Sequence, residues 1–133
     1  MAKYLLVDDS PTIRLTLAAS IRNAAKGIVE IIEADDISNA MKLFTEKKPD
    51  AVFLDIMFPG RETAGVDALR AMLAARPDVK IVLITGLPAD HPSVVAGISA
   101  GAFAFLPKPA RTESVRRILN DIEAESGRFS RIR

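Results

Sequence analysis

Three aspartates, a threonine and a lysine stand where short apolar runs of the sequence end. Asp8 and Asp9 follow the run from Tyr4 to Val7, and Asp55 follows Ala51 to Leu54. Thr85 follows Lys80 to Ile84, and Lys108 comes just after Phe103 to Leu106. If these run ends share one rim, three carboxylates about 5 Å apart repel one another by about 3 kcal/mol per pair at an effective dielectric near 20. A hard cation offsets that repulsion best. Oxygen-only ligands suit Mg2+ or Mn2+ better than zinc or copper, and magnesium tolerates a site with few carboxylates and several waters. A metal beside Lys108 creates a place for a phosphoryl group, whose charge needs partners during in-line transfer to a carboxylate oxygen. Asp55 is the candidate nucleophile, with Lys108 as a compact point charge to stabilise the arriving group. The Thr85 hydroxyl would then bond a phosphoryl oxygen and draw its loop inward, and Phe105 would fill the gap left beside it.

The elements that must position these residues alternate from one end of the chain to the other, the rhythm of repeated βα units around a parallel sheet. Tyr4 to Val7 reads as a strand covered on both faces. Ser10-Pro11 opens a helix, with a hydroxyl cap and a proline at the first helical position. Ile13, Leu17, Ala18 and Ile21 recur on one face of that helix until Gly27. Four further units follow. They pair a strand over Ile28 to Ala34 with a helix near Ile37 to Lys47, and a strand over Ala51 to Leu54 with a helix around Val66 to Ala75. Lys80 to Ile84 precedes a short helix from Pro92 or Ser93, weakened by Gly97 and Gly101. Phe103 to Leu106 precedes a last helix from Thr112 to about Ser126, which Gly127 stops. Ligands in such folds sit outside the carboxyl ends of the strands, which is where the five polar residues fall.

Bulk properties bound the answer. With 133 residues the chain suits one domain, residues 1–127, followed by a short basic tail, 128–133, and no output domain. Eighteen Lys and Arg against seventeen Asp and Glu leave a formal net charge of +1, so no global field favours nucleic acid or an anionic membrane. The absence of cysteine excludes a disulfide framework, a thiolate nucleophile and a thiolate zinc site. No apolar run approaches the roughly 20 residues needed to span a bilayer, nor does the start read as a signal peptide. No membrane insertion and a cytoplasmic location are the expectations.

The acidic pair Asp8-Asp9, the run Leu54-Asp55-Ile56-Met57 with Pro59-Gly60, Thr85-Gly86, and Gly101-Ala102 followed by Lys108-Pro109 together resemble the bacterial two-component response-regulator receiver domain. The resemblance covers about Tyr4 to Ser126, and its specificity lies in the ordered combination. It implies Asp55 as phosphoacceptor, Asp9 as a direct metal ligand, Asp8 as a ligand acting largely through water, and the Met57 backbone carbonyl as a further ligand. Thr85 and Phe105 match the family's switch pair, Lys108 its phosphate-contacting lysine, and Lys108-Pro109 its cis peptide bond, which proline makes accessible. The expected fold is α/β, a doubly wound (βα)5 three-layer sandwich of the flavodoxin-like kind, with a parallel five-stranded sheet in order 2-1-3-4-5. The implied function is a single-domain response regulator, a switch that catalyses only its own aspartyl phosphorylation and dephosphorylation and is otherwise no enzyme. Its phosphodonor would be a histidine kinase or histidine phosphotransfer protein. Its output would be contact with a downstream protein target, without DNA binding by this chain alone. A homodimer through the fourth helix, fifth strand and fifth helix is left open.

Two departures from the family pattern stand out. Arg61, Glu62, Thr63 and Ala64 lengthen the loop after Asp55 by roughly two residues, and Phe105 replaces the commoner tyrosine, removing a hydroxyl. The longer loop supports an alternative, a receiver-like interaction module that works without phosphorylation; the intact acid set opposes it. A haloacid-dehalogenase-like phosphatase would want a carboxylate where Met57 stands, and a flavin binder would not set Asp8-Asp9 against a phosphate. Blander readings exist for the individual residues: turn and cap roles for the aspartates, core packing for Phe105. His91, the sole histidine, reads as an exposed loop residue. Arg128, Arg131 and Arg133 with Phe129 and Ile132 read as a solvated end, and Arg111, Arg116 and Arg117 as a charged outer face.

Overall fold

The computed structural model describes residues 1–58 and 63–132, with side chains described through Glu125. Five strands and five helices alternate: β1 (Ala2–Val7), α1 (Pro11–Ala24), β2 (Val29–Ala34), α2 (Ile37–Lys47), β3 (Ala51–Asp55), α3 (Ala64–Ala75), β4 (Lys80–Thr85), α4 (Pro92–Ser99), β5 (Ala104–Pro107) and α5 (Thr112–Ile132). The strands form one parallel sheet in the order β2-β1-β3-β4-β5, as expected from the sequence. Parallel neighbours need crossovers, and α1 to α4 supply them, while α5 follows the last strand.

Side-chain alternation along the strands builds the three layers. Leu5, Val7, Val52, Leu54, Ile81 and Leu83 face one side, where Ala40 and Phe44 of α2, Leu69 and Met72 of α3 and Val94 of α4 cover them. Tyr4, Leu6, Phe53, Val82 and Ile84 face the other, under Leu17 and Ile21 of α1 and Val115, Leu119 and Ile122 of α5. Both faces are dry, and each fully buried aliphatic side chain contributes about 1.5–3 kcal/mol of transfer free energy. That is why β1, β3 and β4 read as unbroken apolar runs.

Local signals set most boundaries. Ser10 caps α1 by accepting from the Ile13 N–H at 3.3 Å, and Asp36 caps α2 by accepting from the Asn39 N–H at 2.7 Å. Lys48, in the left-handed region at φ 51°, ends α2. Gly101 turns the chain from α4 toward β5 at φ 117°, a conformation that favours glycine.

Several expectations need correction. Helix α1 ends at Ala24, three residues before Gly27, and Ile28 lies outside β2 with 81% exposure. His91 is not an exposed bystander: half-buried, it caps α4, its Nδ1 accepting from the Ser93 N–H at 3.1 Å. The last helix does not stop at Gly127 but runs on to Ile132, because an interior glycine costs only about 1 kcal/mol relative to alanine and no proline follows. Pro59, Gly60, Arg61 and Glu62, and the side chains of the basic tail, lie outside the described residues.

Candidate functional site

The register of the sheet brings the five polar residues to one rim. Val7 pairs with Leu54, so the residues after them, Asp8 and Asp55, emerge side by side. Thr85 pairs with Pro107, which sets Lys108 next to it, and the Lys108 N–H donates to the Thr85 carbonyl oxygen at 2.9 Å. Carboxylate oxygens of Asp8, Asp9 and Asp55 lie within 4.8 Å of one another, with Asp8 and Asp55 buried and Asp9 exposed. The Lys108–Pro109 peptide bond is cis.

Each buried carboxylate is aimed by backbone. The Asp8 N–H donates to the Ala34 carbonyl oxygen at 3.1 Å, and Asp8 Oδ1 accepts from the Ser10 N–H at 2.9 Å. Asp55 Oδ1 accepts from the Met57 N–H at 3.0 Å, while Oδ2 accepts from Lys108 Nζ at 3.1 Å. Lys108 Nζ also pairs with Asp8 Oδ2 at 2.8 Å, and that oxygen, closed off from solvent, has no partner beyond this ammonium. A single ammonium therefore spans two buried acids and leaves one lone-pair direction unserved.

The charges register this crowding. Burial, the largest effect, pushes the Asp55 carboxyl above its ordinary range; the Met57 N–H and Lys108 pull it down and Asp8 pushes it up again, for a net rise. Burial also pulls on the Lys108 ammonium, in the downward direction, but its contacts with Asp8 and Asp55 prevail and raise it. Two buried acids and the exposed Asp9 against one base leave an excess of negative charge, and buried charge that is not fully compensated is costly. A divalent cation fits this donor set, all oxygen and mostly anionic, and suits magnesium or manganese. Asp8, Asp9 and Asp55 are the side chains able to hold it, and the Met57 carbonyl lies on the same loop.

Thr85 is fully buried, with its Oγ1 accepting from the Leu87 N–H at 3.0 Å. Phe105, one strand over, is half-buried and packs against the same apolar cluster as Leu87. The loop that leads to Met57 is pressed against α3: a Cβ on Gly65 would lie 2.5 Å from the Ile56 Cα and 2.8 Å from its carbonyl oxygen. Sequence reasoning singled out neither this contact nor Arg14, whose Nη1 donates to the Asp8 carbonyl oxygen and whose Nε donates to Glu33 Oε1 at 2.9 Å. The only signal for Arg14 is a basic residue one turn into a helix that starts beside two acids.

Comparison with known proteins agrees with this architecture. The family model of the response regulator receiver domain matches residues 4–120. Chemotaxis protein CheY of Thermotoga maritima is 31% identical over 120 residues, which cover 90% of this chain and 96% of that protein. Response regulator GacA of Pseudomonas aeruginosa is 31% identical over 124 residues, covering 93% of this chain but 56% of GacA. The chain thus spans about half the length of several curated relatives and nearly all of others. Among solved structures, a receiver domain protein from Clostridium thermocellum superposes with a TM-score of 0.83 over 97% of this chain and 99% of that one, at 24% identity. Chemotaxis protein CheY4 of Vibrio cholerae does so with a TM-score of 0.77 at 26% identity, covering 92% and 98%. Matched along most of its length by both sequence and fold, with its acidic cluster at the carboxyl rim of the sheet, the chain belongs to the response-regulator receiver-domain family.

Proposed function

We propose that Asp55 accepts a phosphoryl group in a magnesium-dependent reaction and that the chain signals through protein contacts that depend on this modification. The observation that carries the reading is the meeting of three carboxylates within 4.8 Å, one of them, Asp55, 3.1 Å from the Lys108 ammonium. A carboxylate oxygen of Asp55 attacks phosphorus, the bond from phosphorus to the donor's nitrogen breaks, and its electron pair returns to the donor imidazole. Lys108 then holds a phosphoryl oxygen in place of the carboxylate oxygen it holds now. The Met57 N–H keeps Asp55 oriented through Oδ1. Asp8, Asp9, Asp55 and the Met57 backbone carbonyl would hold a magnesium ion, which would supply neutralisation of the phosphoryl charge. The donor in this reading is a histidine kinase or histidine phosphotransfer protein.

The output follows from Thr85. Its Oγ1 turns from the Leu87 N–H to a phosphoryl oxygen, which frees the β4–α4 loop and lets Phe105 move inward against the cluster it already touches. The face built from α4, β5 and α5 changes shape and presents itself to a downstream protein. The chain is a switch and not a turnover enzyme in this reading.

Intact-mass measurement after incubation with magnesium and acetyl phosphate tests the proposal. Wild type should gain one base-labile phosphoryl group that Asp55→Asn lacks. No uptake from acetyl phosphate or from a cognate kinase would replace it with an interaction module that works unmodified.

A further inference from the structure

Asp9 differs from its two acidic neighbours in having nothing to aim it. Its carboxylate is exposed and takes no hydrogen bond or ion pair among the described residues, whereas Asp8 and Asp55 are each held by a backbone N–H. The direction of the Asp9 side chain therefore depends on the backbone that carries it. The carbonyl group of Asp8 and the N–H of Asp9 belong to one rigid peptide plane, so whatever grips that carbonyl oxygen fixes the plane from which Asp9 departs.

Arg14 grips it. Its side chain, 15% exposed, donates from Nη1 to the Asp8 carbonyl oxygen and from Nε to Glu33 Oε1 on β2. On the other side of Asp8 its N–H is tied to the Ala34 carbonyl oxygen, also on β2. A planar fork with fixed donor directions can serve a carbonyl and a carboxylate at once; a lysine ammonium at this position cannot reproduce both with the same geometry.

We propose that Arg14, strapped to Glu33, is a positioning residue of the metal site: it holds the Asp8–Asp9 peptide plane so that the Asp9 carboxylate converges with those of Asp8 and Asp55. This rests on reading the acidic cluster as a divalent-cation site. Arg14 touches no ligand atom of that site and acts through backbone. Ion pairs with an exposed partner contribute little to stability, so the effect falls on site geometry more than on folding. Loss of an outer-shell partner typically weakens metal binding by about 10-fold to 100-fold.

Binding of Mn2+ to the full chain, followed by the paramagnetic signal of the free ion well below the unfolding temperature, tests this on wild type, Arg14→Gln, Arg14→Lys and Arg70→Gln. Arg70, in a loose 3.8 Å pair with Asp67 on α3, is the control for losing a surface arginine. Arg14→Gln should bind about tenfold more weakly. Arg14→Lys should fall between it and wild type, and Arg70→Gln should match wild type. Without metal, the Asp9 amide should shift and exchange faster in Arg14→Gln, a change that a purely structural role elsewhere would not confine to this peptide. Wild-type Mn2+ affinity in Arg14→Gln, or an unmoved Asp9 amide, would overturn the inference while leaving the metal site standing. Should Arg14→Gln fail to fold, Arg14→Lys decides by the same two readouts. A wild type that takes up no Mn2+ removes the metal reading itself and the role of Arg14 with it.

Discussion

The Nζ of Lys108 stands 3.1 Å from Oδ2 of Asp55, across 53 positions of sequence. The same ammonium lies 2.8 Å from Asp8 Oδ2, so one cation at the end of β5 faces carboxylates delivered by β1 and β3. With a side chain 22% exposed against 3% and 4% for the acids, it is the principal charge that keeps two buried carboxylates tolerable in the absence of metal.

Removing it should therefore show in stability before it shows in chemistry. Lys108→Ala leaves two buried acids uncompensated and should lower unfolding stability in chelator by about 2 kcal/mol, less than the roughly 3–5 kcal/mol of a fully buried pair because the Lys108 side chain is 22% exposed. Millimolar magnesium should recover part of the loss, because the cation takes over charge neutralisation. Urea unfolding of both proteins with and without magnesium measures this; equal stability in chelator would show that Lys108 does not hold the acids.

Asp55 gives the opposite sign. Its folded pKa is raised above the ordinary value of 3.8, chiefly by burial. A carboxyl raised on folding supports stability below that ordinary value, where it is protonated in both states. The support is lost as pH rises through the folded value, where ionisation in the native state is resisted. At neutral pH the charge of Asp55 is thus a cost. Asp55→Asn should be more stable than wild type in chelator at pH 7, by the order of 1 kcal/mol, and the difference should vanish near pH 3. Magnesium at ten times its dissociation constant should add about 1.4 kcal/mol to wild type and little to the variant. A variant less stable than wild type at pH 7 would contradict the account.

Much of this was legible in the residues. Helix α2 runs from Ile37 to Lys47, the bounds expected from the sequence, because Asp36 is a strong cap and Phe44 with Ala40 marks the inner face. The strand ends were less legible. Asp55, Thr85 and Pro107 continue their ladders, although each reads as the start of a loop, since polarity along the chain does not reveal that a neighbouring strand extends alongside. The capping by His91 was hidden because an imidazole is an unusual cap residue. The Arg14–Glu33 pair was hidden because it depends on how β2 and α1 pack around β1, a tertiary fact with no local signature.

Tyr4 allows a separate check on the core. It is the sole tyrosine, it is 1% exposed, and its ring meets Phe53 edge-on with centroids 5.9 Å apart. Burial, followed by the charges of Glu123 and Asp50, raises its pKa above the ordinary 10.0. Above that ordinary value the unfolded chain releases the phenol proton more readily than the native one. Stability is therefore fully present below pH 10 and declines as pH rises through the raised folded value. Tyr4→Phe keeps the ring and removes the proton, so its stability should fall less steeply between about pH 9 and about pH 11. Ultraviolet titration of wild type, which carries no tryptophan, should show the phenolate forming late. An ordinary titration midpoint would refute the burial argument.

Gly65 tests how tightly the fold holds the loop that carries Met57. A methyl group at this position would sit 2.5 Å from the Ile56 Cα and 2.8 Å from the Ile56 carbonyl oxygen, against backbone atoms that cannot rotate away. Ile56 is itself fully buried, so the clash cannot be relieved by moving it into solvent. Helix α3 must instead back away from the loop, opening the contact between Leu69 and the sheet. Gly65→Ala should cost about 2–3 kcal/mol, toward the upper end of overpacking penalties. Gly27→Ala, whose added methyl would meet nothing within 4 Å, should change stability by no more than about 0.5–1 kcal/mol. The displaced loop carries the Met57 N–H that orients Asp55 Oδ1, so Gly65→Ala should also bind Mn2+ more weakly while Gly27→Ala binds as wild type does. Equal stabilities for the two variants would mean that α3 yields without strain and that the close approach at Ile56 does not hold the site.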